Sequence, residues 1–157
     1  MEQMRPSRAP KELRDIILEF STERKCSRYA ITIRWPGGKY TCARCLGRDV
    51  WKLKSRDLVE CRTCGKQTTI TAGTSLHQSH VSLQQWIFSA YLMTHHQALS
   101  QADFKRIVGI SSDMTLWRMK SIVRTVIAAP NEVVFTARYA SREAAFRDVL
   151  RKLLSPN

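Results

Sequence analysis

Acidic side chains are scarce in this 157-residue chain, with 13 Asp and Glu against 26 Lys and Arg and a formal charge of +13. A surface so short of negative charge points to a polyanion as partner, and nucleic acid is the commonest polyanion inside a cell. Long apolar runs are missing too. The opening MEQMRPSRAPKELRD has no apolar core of signal-peptide length, so the expected setting is the cytoplasm, with reduced cysteines. The longest span without Asp, Glu, Lys or Arg, Gln67 to Ala102, holds four His and six Gln. Its dense apolar part, Val81 to Met93, is too short to cross a bilayer and reads as a buried helix. No internal repeat or low-complexity segment is present, and 43% apolar residues exclude a wholly disordered protein. The length suits one ordinary domain, or, as the better reading, two small units of which at least one needs help to stay folded.

Residues 1–10 read as a loose basic tail. Residues 11–39 read as N-terminal helices: KELRDIILEF puts Leu13, Ile16, Ile17 and Phe20 on one face, ERKCSRYAITIRW follows a Ser21-Thr22 break, and Pro36-Gly37-Gly38 stops the run. Residues 40–75 switch to short β-like pieces, DVWKL, LVECR and QTTIT. Residues 81–128 read as a helical domain. Ser82 with Gln85 forms a capping box and Val81 with Trp86 a hydrophobic staple; Ser100 with Asp103, and Leu99 with Phe104, repeat the pattern in looser form. The helix from Gln101 to Val108 should end at Gly109, and a third should follow Ser111-Ser112 with Leu116, Met119, Val123 and Val126 on one face. Residues 131–157 read as a strand, EVVFTARY, and an amphipathic helix with Phe146, Val149, Leu150, Leu153 and Leu154 on its apolar side, suited to dimerisation or to docking a partner. The fold class is thus α+β, a small β unit embedded in a mainly helical chain.

Cys42-x-x-Cys45 and Cys61-x-x-Cys64, with fifteen residues between the pairs, have the spacing of a four-thiolate structural zinc site. Two residues between thiolates let one tight turn bring both sulfurs to a tetrahedral ion, and Gly47 and Gly65 offer the backbone freedom such turns need. A unit of about thirty residues cannot bury enough apolar surface to fold alone, so one structural Zn2+ is expected. Disulfides, chance, or His77 or His80 in place of a cysteine are the weaker alternatives. Cys26 reads as a core thiol. His95-His96 resembles a ligand pair only superficially, because adjacent helical side chains point about 100° apart.

The segment LSQADFKRIVGISSDMTLWRMKSIVRTVI has the layout of a helix-turn-helix: a short capped helix, a Gly-containing turn and a longer helix. With its apolar face inward, the longer helix turns Met114, Trp117, Arg118, Ser121 and Arg124 outward, with Ser112 and Thr115 near its exposed start. Arg118 suits a bidentate contact to guanine. Arg124, Lys120, Lys105 and Arg106 suit phosphates, as do Arg44, Arg48, Lys52, Lys54, Arg56 and Arg62 of the ribbon. Trp117 is ambiguous and fits core packing somewhat better than DNA contact. A plain three-helix bundle with a solvated basic face is the bland alternative.

Together IRWPGGKYTCARCLG, LKSRDLVECRTCGKQTTITAGTSLH, WIFSAYLMTHH and GISSDMTLWRMKSI resemble the N-terminal half of insertion-sequence transposases of the ISXO-like group, over about Phe20 to Ile127. The resemblance implies a zinc ribbon held by Cys42, Cys45, Cys61 and Cys64, a helix from Asp113 that binds the transposon end, and a bacterial, nucleoid-associated location. It also implies a following DDE catalytic domain, whose three carboxylates hold two divalent ions. Here only Glu132, Glu143 and Asp148 follow Pro130, so strand cleavage is not expected. The expected function is a non-catalytic, sequence-specific double-stranded DNA-binding protein of transposase origin, acting at transposon ends or in transcription regulation. Its rivals are a transposase whose catalytic centre lies in another chain and a zinc-ribbon adaptor or RNA-binding module.

Overall fold

The computed structural model describes residues 11–53, 58–96, 98–127 and 141–156. The basic tail 1–10, Lys54, Arg56, Glu132 and the strand read at EVVFTARY lie outside the described residues. Among the described residues, six α-helices accompany one three-stranded antiparallel sheet, which bears out the α+β reading.

The chain opens with α1 (Lys11–Glu19) and α2 (Glu23–Arg34), separated where Thr22 caps α2 by accepting from the Lys25 amide. A short 3-10 turn at Pro36–Gly38 leads to the ribbon. There β1 (Val50–Leu53) pairs with β2 (Leu58–Cys61), setting Val50 opposite Cys61, and β2 pairs with β3 (Gln67–Thr69), setting Val59 opposite Thr68. Then come α3 (Leu83–His95), α4 (Gln101–Val108), α5 (Asp113–Ile127) and α6 (Arg142–Leu153).

The helix starts follow their local signals. Ser82 and Gln85 bond reciprocally as a capping box, and Ser100 accepts from the Asp103 amide. Gly109 ends α4 with φ of 76°, a left-handed backbone that a residue with a Cβ adopts only under strain. No helix among the described residues is long and apolar enough to cross a membrane. The apolar run from Val81 is instead α3, whose Trp86, Ile87, Phe88, Ala90, Tyr91 and Leu92 are all buried.

Two apolar clusters divide the molecule. The larger joins residues of every helix, from Leu13 of α1 to Leu153 and Leu154 at the end of α6. The smaller is the ribbon's own, made of Tyr40, Cys42, Val59 and Cys61 with Trp35, Val50, Cys45 and Cys64 against them. Ile70 and Leu76, just beyond β3, belong to the helical core. The apolar side of α6, with Phe146, Val149, Leu150, Leu153 and Leu154, is buried within the same chain against α2, α3 and α5. A second copy or a partner would therefore have to meet the opposite side of α6, where Glu143 pairs with Arg147 and Asp148 with Lys152.

Two polar clamps fix the N-terminal helices to the rest. The Glu23 carboxylate accepts from the Leu83 amide at 2.8 Å and the Gln84 amide at 3.2 Å, meeting two of the orphan N–H groups of α3 and its positive dipole end. Glu23→Ala is expected to lower stability by about 1–3 kcal/mol in urea denaturation followed by helical circular dichroism. No measurable change would mean that water replaces the carboxylate without loss. The second clamp is Arg34, whose guanidinium donates to the carbonyls of Thr69, Ile70 and Ala72 and so ties the exit of the ribbon to the end of α2.

Candidate metal centre and nucleic-acid interface

The two cysteine turns are built alike. In the first, the Leu46 amide donates to the Cys42 carbonyl at 2.9 Å and the Cys42 amide to the Gly47 carbonyl at 2.9 Å; in the second, Gly65 bonds back to Cys61 at 2.8 Å and Cys61 to Lys66 at 3.0 Å. The left-handed residue of the second turn is Gly65, φ 69°, as expected, but that of the first is Leu46, φ 60°, not Gly47. Gly47 is required for another reason. A Cβ there would stand 2.8 Å from Thr63 Oγ1 and 3.2 Å from Cys45 Sγ, where the two turns close on each other.

The four sulfurs of Cys42, Cys45, Cys61 and Cys64 lie within 4.8 Å of one another and form the one metal-ligand cluster found among the described residues. Sulfur contacts across the turns measure 3.6 Å for Cys42–Cys64 and 3.4 Å for Cys45–Cys61. A tetrahedral ion at about 2.3 Å from each thiolate needs edges of about 3.8 Å, which lies between these shorter contacts and the 4.8 Å span of the cluster, so the four sulfurs suit one Zn2+. None of these cysteines is disulfide-bonded. The surroundings favour thiolates. Amides of Arg44 and Cys45 hold Cys42 down to about 6, the former donating to its sulfur at 3.4 Å. Burial opposes ionisation of Cys61, but amides of Cys64 and Thr63 and the Cys45 thiol outweigh it and lower its pKa. Cys45 keeps its proton longest. The Gly47 amide favours its thiolate, yet the neighbouring sulfurs of Cys61 and Cys64 push it up to about 12. Bound zinc would replace these shared protons and lock the two turns together; with four thiolates it has no open position for catalysis.

His77 and His80 are exposed and outside the cluster. His95 stacks on Tyr91 with ring centroids 4.2 Å apart, burial lowering its pKa, and His96 closes α3. Cys26 is a buried core thiol donating to the Phe20 carbonyl.

Residues 21–67 match the transposase zinc-ribbon domain family, a stretch that holds α2, both cysteine turns and the sheet up to the start of β3. This part of the chain is similar to transposase zinc ribbons, and its four clustered cysteines make one structural Zn2+ site. No curated protein and no solved structure matches the chain.

The cationic side chains sort by what they already touch. Arg118 and Arg124 on α5, and Arg44 and Arg48 on the ribbon, are exposed. Lys105 is paired with Asp113 at 2.8 Å, which holds the Asp113 carboxyl below the usual range, and Arg106 stands 3.8 Å from Asp103. Arg62 pairs with Asp49 at 3.3 Å and lies 3.8 Å over the exposed ring of Trp51. Lys120 rests 4.2 Å over Phe104, and burial followed by the nearby Arg124 lowers its pKa. Lys52 stands opposite Val59 in the β1–β2 ladder.

Trp117 corrects the expectation of core packing: it is 64% exposed, beside Met114 at 67%. The core side of α5 is filled by Leu116, Met119, Val123 and Ile127, which leaves no room for an indole. Ser112 accepts from the Thr115 amide and starts the helix, and Ser121 is half-buried. Sequence reasoning missed Arg34 and Asp113. Their partners lie 35 to 38 and 8 residues away across turns, and no local pattern announces such contacts.

Proposed function

We propose that the chain is a non-catalytic, sequence-specific double-stranded DNA-binding protein of transposase origin, in which α4 and α5 form a helix-turn-helix of the ISXO-like kind. In this reading the ribbon braces the helical unit and adds phosphate contacts. It acts in the bacterial cytoplasm, at transposon ends or in transcription regulation.

The observation that carries the reading is the outer face of α5. Met114, Trp117, Arg118, Ser121 and Arg124 recur at helical spacing opposite the buried stripe, and no intramolecular partner of Arg118 or Arg124 is found among the described residues. A guanidinium so presented can bind a guanine edge in bidentate fashion.

The test is selection of bound sequences from a random duplex pool, with and without a zinc chelator. A discrete site is expected. Arg118→Ala should then cost about 1–3 kcal/mol in affinity and relax preference at one position. Unchanged affinity would favour the adaptor or RNA-binding alternative, and metal-dependent nicking of the duplex would favour an enzyme.

A further inference from the structure

Two of the five exposed large apolar side chains among the described residues, Met114 and Trp117, sit one helical turn apart on α5. Single exposed apolar residues need no explanation. These two form a continuous stripe with Arg118 and Arg124, and no ring or hydrogen-bond partner of Trp117 is found among the described residues. Among the described residues, the apolar contacts of α5 are made on the opposite side of the helix, so their packing does not account for the pair. A partner must offer apolar groups set among negative charges. In the DNA major groove the apolar group on display is the thymine C5-methyl, flanked on both sides by phosphates. Met114 to Ser121 spans about 10 Å along the helix axis, the length of about three base-pair steps.

We infer that Met114 and Trp117 read thymine methyl groups next to the base contacted by Arg118, and so set the sequence preference of α5. This rests on the duplex-binding reading above and adds which base the apolar half of the face selects.

The test uses the full zinc-loaded chain and the duplex recovered from the random pool. Each thymine is replaced singly by deoxyuridine, which removes the methyl and leaves the base-pairing edge unchanged. Wild-type affinity should fall about fourfold at one or more adjacent positions, the effect of one buried methyl-sized group. Met114→Ala and Trp117→Ala should each bind thymine and uracil duplexes equally at the corresponding position. Because both side chains are exposed, the variants should keep their zinc and their helical circular dichroism.

Equal binding of thymine and uracil duplexes by the wild type, or an undiminished preference in both variants, overturns the inference while duplex binding stands. A selected site with no thymine sensitivity, accompanied by a dimer that Trp117→Ala dissolves, assigns the pair to a protein interface and also overturns it. Failure of the wild type to bind any duplex at low salt overturns both this inference and the reading beneath it.

Discussion

Stripped of zinc, or with Cys61 replaced by Ser, the chain is expected to lose its sheet and keep its helical core. Wild-type protein should hold one equivalent of zinc; Cys61→Ser should hold none at micromolar concentration. The reason is the division of the apolar interior. Four buried residues make up the ribbon's own cluster, and two of them, Cys42 and Cys61, are ligands. Without the ion nothing of comparable strength closes the two turns, because structural zinc contributes about 10–16 kcal/mol to such modules. The helices share a separate cluster that runs from Leu13 to Leu154 and contains no ligand. Amide spectra should therefore show β1 to β3 collapsing while far-ultraviolet circular dichroism stays largely helical. Acid should mimic the chelator, since lowering the pH returns protons to the sulfurs and releases the ion. Stoichiometric zinc in Cys61→Ser, or a sheet that persists without metal, would contradict this account.

Binding to duplex DNA is expected to weaken by about 10³ to 10⁵ between roughly 50 and 200 mM salt, as for a surface that neutralises about six to ten phosphates. Arg118, Arg124, Arg44 and Arg48 are exposed and ready to do so. Lys105, Arg106 and Arg62 already face Asp113, Asp103 and Asp49. Exposed pairs of this kind are worth only about 0–1 kcal/mol, so exchanging a carboxylate for a phosphate costs little. Lys120 is the weaker candidate, because leaving the Phe104 ring would forfeit both a cation–π contact and burial. Anisotropy titrations over salt concentration measure the slope; Arg44→Ala or Arg48→Ala should each reduce it by about one if the ribbon touches the backbone. Tight binding indifferent to salt would sink the electrostatic reading.

Features governed by neighbouring residues were readable in advance. The cysteine spacing, the Ser82–Gln85 box, the Ser100 cap and the left-handed Gly109 each depend on a few consecutive positions, and the structure bears them out. Contacts between distant segments were not. Glu23 meets α3 across 60 residues, and α6 closes the core begun by α1, yet the ribbon lies between them in the chain and hides the connection. Trp117 was misjudged because a large indole suggests burial, whereas the packing of Leu116, Met119 and Val123 decides which side of α5 faces inward. At the first cysteine turn, residue type pointed to Gly47 as the left-handed position, and only backbone geometry reveals Leu46 in that conformation.

The placement of α6 bears on how this protein is made. During synthesis the helices that carry the basic face emerge well before Leu150, Leu153 and Leu154, the residues that complete their interior. Until those last turns leave the ribosome, α2, α3 and α5 expose the surface that α6 will cover, a state open to aggregation or to capture by chaperones. Truncating the chain after residue 128 should recreate that unfinished state permanently.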